Sequence, residues 1–575
     1  MSSSFLHSSV PFLLRAAALF LLGLLSAPTA RAQTMPTWQQ AVPVAQASGG
    51  STVVMATTTD AAGNVYLTGI FYGTVTLGSQ TLVSNGQADI FVAKWSSATS
   101  SYVWATGGGG SRIDVATGVA VNGNSVYVTG SFIGSISFGG TTLTNSATTI
   151  DSDVFVAKLT DAGTTASWTW AQQAGGTLDD YAGAVVVNGP NIYLSGTSRR
   201  QATFGGISIN NPAANVFVAK MVDAGPTAAF TWVKSSGGSG LERAPALAMS
   251  GSSLYVAGVF YDTTIFGTTT LTNASPGNPD LFVAKLTDAG TSASFEWARS
   301  AGGPEYDEAL ALAVNGANVY VSGYFHSSSI SFGATTLANA NTNPGFFTPD
   351  VFVAKLTDAG TTASWTWAQQ AGGPNIDEAR ALAVSGNQVY VTGSFNSASA
   401  NFGATTLANI AADGTSDIFV ARLTDAGSTG SITWAQQAGG TNGDVGRALT
   451  VRGTTVYVAG EAGGASRFGS QTLPSPASTY GGFWASFSDL TITSTHRPAP
   501  LALAFSPNPA SNLVQLPGLP AGTPVQFLDA LGRIARATTI SAATQVSVRG
   551  LAPGLYTLRA TDVKGQQFAG KVVVE

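Results

Sequence analysis

The chain has 575 residues, of which only 10% are charged, and its formal net charge is −5. It carries no block of like charge and nothing resembling the broad basic surface that nucleic acid or anionic lipid requires, which argues against a nucleic-acid partner. There is no cysteine, which removes disulfides, thiolate nucleophiles and Cys-based zinc sites together, and three histidines are too few for a histidine-rich metal centre.

In chain order, residues 1–32 read first. Arg15 precedes the apolar run AAALFLLGLL, and the segment ends in Ala30-Arg31-Ala32, a secretory signal pattern with an A-x-A cleavage site before Gln33. An apolar core of about 10 residues is short of the ~20 that a spanning helix needs. No later apolar run is long enough to span a bilayer, so no transmembrane segment is expected in the mature chain.

Residues 33–490 are a repeat. A tetrad of Tyr, a hydrophobic residue, a small residue and Gly recurs at Tyr66, Tyr127, Tyr193, Tyr255, Tyr320, Tyr390 and Tyr457, a mean period of about 65 residues. Each unit contains four strand-like segments, for which Ala379 to Trp434 serves as the type: ARALAVSG, QVYVTGSF, DIFVARL and SITWAQQ. Turns such as NGNS, SGSS and SGNQ join the first two, with Gly and Asn supplying positive φ at low cost. Four short strands per repeat, small residues in the first and Phe then Trp in the later ones, predict seven wedge-shaped blades of an all-β fold; a solenoid of the same repeats is the competing architecture, and seven units of near-equal length favour closure. The tryptophan segment comes first at Trp38, ahead of any inner strand, while the last unit, ending in FWASFSD from Phe483, has none after it. Residues 37–42 are therefore predicted to supply the outermost strand of the unit lying between about 444 and 489, hiding two edges that would otherwise invite aggregation.

The stretch DEARALAVSGNQVYVTG, Asp377 to Gly393, resembles the seven-bladed β-propeller repeat family, the SBBP type, and the other units match it less closely. The resemblance implies a propeller of four-stranded antiparallel blades over about 38–490. It implies little about activity.

An acid opens the first strand in six units: Asp114, Asp180, Glu242, Asp307, Asp377 and Asp444, with Thr52 in that place in the first. Strand alternation puts these acids and the long connections on one face, where loops carry function more often than scaffold does. An acid repeated in six of the seven units is most simply a structural acceptor of loop N–H groups. A ring of such carboxylates could also hold a hard cation such as Ca²⁺. The lysines Lys94, Lys158, Lys220, Lys285 and Lys355, with Arg422, recur just as strictly and read as framework residues. Asymmetry marks only the fifth unit, where Glu305, Tyr306, Asp307 and Glu308 stand near His326; Glu305, Asp307 and His326 are the candidates for acid–base chemistry on a glycan.

Residues 491–500 form a polar, Pro-containing linker, and 501–575 read as a small antiparallel β-sandwich. This segment resembles the type A C-terminal sorting domain of the type IX secretion system through Pro507-Asn508-Pro509, the turn from Asp529 to Arg533 that contains Gly532, Gly554 and Tyr556, and the terminal Gly570-Lys571-Val572-Val573-Val574. That resemblance implies Sec-type export, the type IX secretion machinery as partner, and a secreted or outer-surface destination. The whole reads as a binding or adhesion scaffold contacting glycan or protein. A secreted polysaccharide-active enzyme using the acidic face, and a purely structural cation-stabilised protein, are the alternatives.

Overall fold

The computed structural model describes residues 35–575 apart from 46–48, 146–149, 274, 342–347, 412–413, 474–479, 491–500, 504, 530–533 and 562–566. The signal segment 1–32, the linker 491–500 and Gly532 lie outside these residues. Every regular element described is a β-strand.

Alternation of small and β-branched residues gives each repeat a four-stranded antiparallel sheet. In the sixth unit the strands are Asp377–Ser385, Gln388–Phe395, Asp417–Asp425 and Gly430–Ala438, hydrogen-bonded in that order. The corresponding first strands are Ser51–Thr59, Asp114–Asn122, Asp180–Asn188, Glu242–Ser250, Asp307–Asn315 and Val445–Arg452. These seven strands pack side by side in chain order, and the seventh packs against the first.

The long second-to-third connection is itself structured. It holds a hairpin, Ser399–Phe402 with Thr405–Ala408 in the sixth unit, whose phenylalanine plugs the gap toward the fourth strand. Phe138, Phe204, Phe266, Phe332, Phe402 and Phe468 are all buried, and Phe332 meets the Trp365 ring edge-on at 4.9 Å. In the third unit this hairpin is continuous with its neighbours, giving strands Asn191–Phe204 and Ile207–Asp223. Pairing of Ala174–Gly176 with Ala202–Phe204 then joins the second and third sheets.

The last sheet is completed from the other end of the repeat. Trp38–Pro43 pairs antiparallel with Tyr480–Ser488, beside Thr455–Gly463 and Val445–Arg452, as the complementary ends of the repeat predict. The register places Trp38 in the column of Trp168 and Trp365, and not in that of Trp170 and Trp367. Gln40 lies opposite Ser486 and Trp38 opposite Phe487, whereas in the second unit Trp170 lies opposite Lys158 and Trp168 opposite Leu159. Gln40 thus takes the tryptophan's place, because one residue bulges between the two positions in both strands.

Adjacent sheets are latched by a repeated ion pair. The Lys94 ammonium, the Tyr66 hydroxyl and the Trp104 indole N–H of the first unit all donate to Asp161 of the second, at 2.6, 2.7 and 3.0 Å. The same trio reaches Asp223, Asp288, Asp358 and Asp425 at the next four boundaries. At the sixth, Arg422 and Tyr390 hold Asp489 at 2.6 and 2.8 Å. Burial opposes charge on these carboxyls, but the lysine and tyrosine bonds outweigh it and hold Asp161, Asp223, Asp288, Asp358 and Asp425 below the usual carboxylate range.

Beyond the linker, a five-stranded sheet formed by Leu501–Ala502, Gln567–Val574, Gly554–Thr561, Pro524–Leu528 and Ile534–Thr539 faces a pair, Leu513–Gln515 with Gln545–Ser547, across a core that includes Phe527, Leu558 and Val572. The expectation of purely antiparallel strands is corrected by Leu501–Ala502, which pairs parallel with Gln567–Val574.

Candidate functional site: a pocket lined by all seven units

The Gly that ends each tetrad explains how the site is built. A Cβ on Gly393 would lie 1.9 Å from the Glu378 carbonyl oxygen, and Gly69, Gly130, Gly196, Gly258, Gly323 and Gly460 meet the equivalent carbonyl at 1.7 to 2.2 Å. Only glycine tolerates so close an approach. The carbonyl is pushed there by a bulge in every first strand, where the pairing register skips Met55, Thr117, Gly183, Pro245, Leu310, Arg380 and Arg447. A bulge re-aims the side chain it carries. All seven of these residues line one pocket of about 480 Å³, joined by Tyr181, Arg243 and Glu308.

The pocket is lined by three arginines and one carboxylate. Glu308, 3% exposed, accepts the Arg243 Nη2 and the Tyr306 and Tyr324 hydroxyls, each at 2.8 Å. The two tyrosine rings stack with centroids 6.0 Å apart and 8° between planes. Burial, then the neighbouring Glu308 charge, raises both phenols well above their ordinary range, so they stay protonated donors. Arg380 is paired with Glu378 and Arg447 with Glu461, leaving guanidinium edges at the pocket; their side chains are 31% and 25% exposed. The lining can therefore offer bidentate donors to an anionic group beside apolar surface from Met55, Pro245 and Leu310.

The acids singled out in the sequence lie elsewhere. Asp114, Asp180, Glu242, Asp307, Asp377 and Asp444 are at most 1% exposed, and alternation along the strand turns them away from the pocket. Asp114, Asp180, Asp307, Asp377 and Asp444 accept the backbone N–H of Gly110, Gly176, Gly303, Gly373 and Gly440 at 2.7 to 2.8 Å. Asp307, Asp377 and Asp444 also accept a serine hydroxyl. Glu242 accepts from Val216 N–H, Asn215 Nδ2 and Ser236, and in the first unit the Thr52 hydroxyl accepts the Gly482 N–H at 2.9 Å. Among the described residues no three His, Asp or Glu side chains group as metal ligands.

Of the three catalytic candidates, Glu305 is exposed and accepts Asn278 Nδ2 at 3.2 Å, while Asp307 offers no surface to solvent. His326 stands edge-on to Tyr306 and Tyr324, ring centroids 5.8 and 5.7 Å away. The asymmetry noticed in the fifth unit is real, but it centres on Glu308 with its two tyrosines. The pocket itself was missed. Its signal lies in the one column of the repeat, three residues after the acid, that reads Met, Thr, Gly, Pro, Leu, Arg, Arg from unit to unit while the flanking columns barely change.

In the C-terminal segment, the resemblance residues converge on the last strand. Asn508, between Pro507 and Pro509, accepts the Val573 N–H at 2.8 Å and donates to the Lys571 carbonyl at 3.0 Å. The Tyr556 hydroxyl donates to the Ala552 carbonyl at 2.9 Å, Gly554 begins its strand, and a Cβ on Gly570 would collide with Phe505 at 2.4 Å.

No family model matches the chain, and no curated protein does. Solved structures similar to it include a "putative 6-phosphogluconolactonase" from Bacteroides uniformis, at 10% identity over 68% of this chain and 88% of that one, TM-score 0.37. Another is the extracellular domain of a "putative one component system" from B. thetaiotaomicron, at 9% identity over 94% and 100%, TM-score 0.17. Neither likeness carries an argument at these scores. No helix among the described residues is long and apolar enough to cross a membrane.

Proposed function

We propose that the seven sheets are the blades of a seven-bladed β-propeller of the SBBP type, acting as a secreted or cell-surface binding and adhesion scaffold. Residues 501–575 serve as its type IX secretion sorting domain. The order in which the first strands pack, seventh against first, and the closing strand Trp38–Pro43 support the propeller. The bond pair between Asn508 and the terminal strand supports a segment whose end is presented in a fixed form to export machinery.

One observation carries the binding reading: the bulged position of every unit lines a common pocket, and the residue there varies among the units. A position freed from framework duty in every unit, beside framework positions that repeat, is where recognition can vary without disturbing the fold. The fitting ligand is a glycan or peptide end bearing a carboxylate, held by Arg243, Arg380 and Arg447. Hydrolysis at the acidic rim is the weaker reading, because those carboxylates are buried and occupied by loop donors.

The test is a glycan and peptide array with the purified protein and with the Arg380→Ala/Arg447→Ala and Leu310→Trp variants, together with an assay for released products. Binding without cleavage, lost in both variants, is expected. Binding indifferent to both, or product formation abolished by Asp307→Asn, would overturn the reading.

A further inference from the structure

Six of the seven boundaries between sheets carry the Tyr and Lys or Arg latch onto an Asp of the next unit. The seventh, where the last sheet meets the first, lacks it in a concerted way. By register, Ser486 stands where the lysine would be, Gln40 where the tryptophan would be, and Ser97, three residues after Lys94, where Asp161 follows Lys158. Only the tyrosine, Tyr457, is kept. Loss of one ionic partner alone would strand a buried charge; here both are gone, so the seam is relieved of charge and of bulk together.

What remains is a cavity of about 330 Å³ lined by these same four residues and by Trp95 and Trp484. Tyr457 lies 6.2 Å from Trp484 and Trp95 lies 5.3 Å from it, centroid to centroid. No lining residue is charged. We propose that this seam is a second binding site, distinct from the central pocket, for a neutral polyhydroxylated ligand of pyranose size.

The chemistry of the lining selects the class. The lining itself gives an entering ion no counter-charge, and Asp60 and Arg452, which act on Tyr457 from outside it, are opposite in sign. Elsewhere the lysine ammonium sits over the tyrosine ring at 5.4 to 6.0 Å, but always with the aspartate that Ser97 replaces here. Serine hydroxyls and the Gln40 amide both donate and accept, which matches sugar hydroxyls. The phenol and indole rings offer apolar faces with polar edges to a pyranose ring. The volume lies at the low end of the range for small-molecule pockets, roughly 300 to 1,000 Å³.

The test titrates the purified full chain with glucose, galactose, mannose and N-acetylglucosamine, and separately with choline, following tryptophan fluorescence and saturation-transfer NMR. At least one pyranose is expected to bind. Its affinity should fall at least tenfold in Gln40→Trp/Ser97→Asp/Ser486→Lys, which writes the latch back into the seam, and remain unchanged in Arg380→Ala/Arg447→Ala. Should the triple variant misassemble, Ser97→Trp, at an exposed turn position, plugs the mouth alone and must show the same loss. Absence of pyranose binding, binding that survives the plugging variant, or binding of choline in place of sugar would overturn the proposal.

Discussion

Asp161 accepts the Lys94 ammonium at 2.6 Å across the boundary between the first and second sheets, with both side chains less than 10% exposed. The pair is local in space and one repeat apart in sequence, so it reports directly on how neighbouring sheets are held. Removing one partner of such a buried pair strands the other. Asp358→Ala, which leaves Lys285 uncompensated, should lower stability by about 3–5 kcal/mol. The double variant Lys285→Met/Asp358→Leu should cost clearly less than the sum of the single changes. Urea denaturation midpoints measure both.

The tetrad glycine sets the bulge that fills the central pocket. Gly393→Ala forces its Cβ to within 1.9 Å of the Glu378 carbonyl, so either the strand pair separates or the bulge relaxes. A loss of about 1–3 kcal/mol is expected, together with weakened ligand binding. Gly316→Asn, at a turn with φ of +62° and open space around it, should change neither property much, since asparagine tolerates that region.

Much of this was legible in the residues themselves. The period, the four strands and the closing strand follow from patterns local to each repeat, and the recurring lysines were visible as framework. Their aspartates were not matched to them, because the partner belongs to the following unit. Which of the two tryptophan columns Trp38 joins was not legible for a similar reason: it falls with Trp168 and Trp365 and not with Trp170 and Trp367, and the bulge separating the two positions is a property of pairing, which a single strand does not display. The pocket column at Met55, Thr117, Gly183, Pro245, Leu310, Arg380 and Arg447 was passed over because variation among copies reads as noise until the bulge shows all seven converging.

The buried acids should make stability depend on pH with an unusual sign. Where the fifth unit meets the sixth, a Cβ added to Gly372 would lie 2.5 Å from Asp350 Oδ1 and 3.0 Å from Asp377 Oδ2, so the two carboxyls lie close enough to repel each other. Burial first, and then the neighbouring acid, raises Asp114 to about 8 and Asp417 to about 7. At the boundary of the third and fourth units Asn215 stands in place of one acid and donates its amide to Glu242 at 3.2 Å. A carboxyl raised in the folded state contributes stability that is complete below its unfolded value near 4 and is lost as pH climbs through 7 to 8. The latch aspartates, held low, lose their contribution only below about pH 4. The melting temperature should therefore fall from pH 5 to pH 8, and Asp350→Asn should flatten that fall by up to about 1.4 kcal/mol per pH unit. A melting temperature that rises over this range, or that collapses in chelator, would show a bound cation in the proton's place.

Both proposed sites depend on the first-traced strand completing the last sheet. Ala41 and Ala485 are paired across that junction, and the chain contains no cysteine, so Ala41→Cys/Ala485→Cys introduces the only two thiols. Paired strand positions lie within the ~4.4–6.8 Å Cα separation that a disulfide accepts. Mild oxidation should link them in nearly every molecule, giving a faster-migrating band on a non-reducing gel and no free thiol. Two thiols that stay freely titratable after oxidation would contradict the closed arrangement, and with it both binding sites.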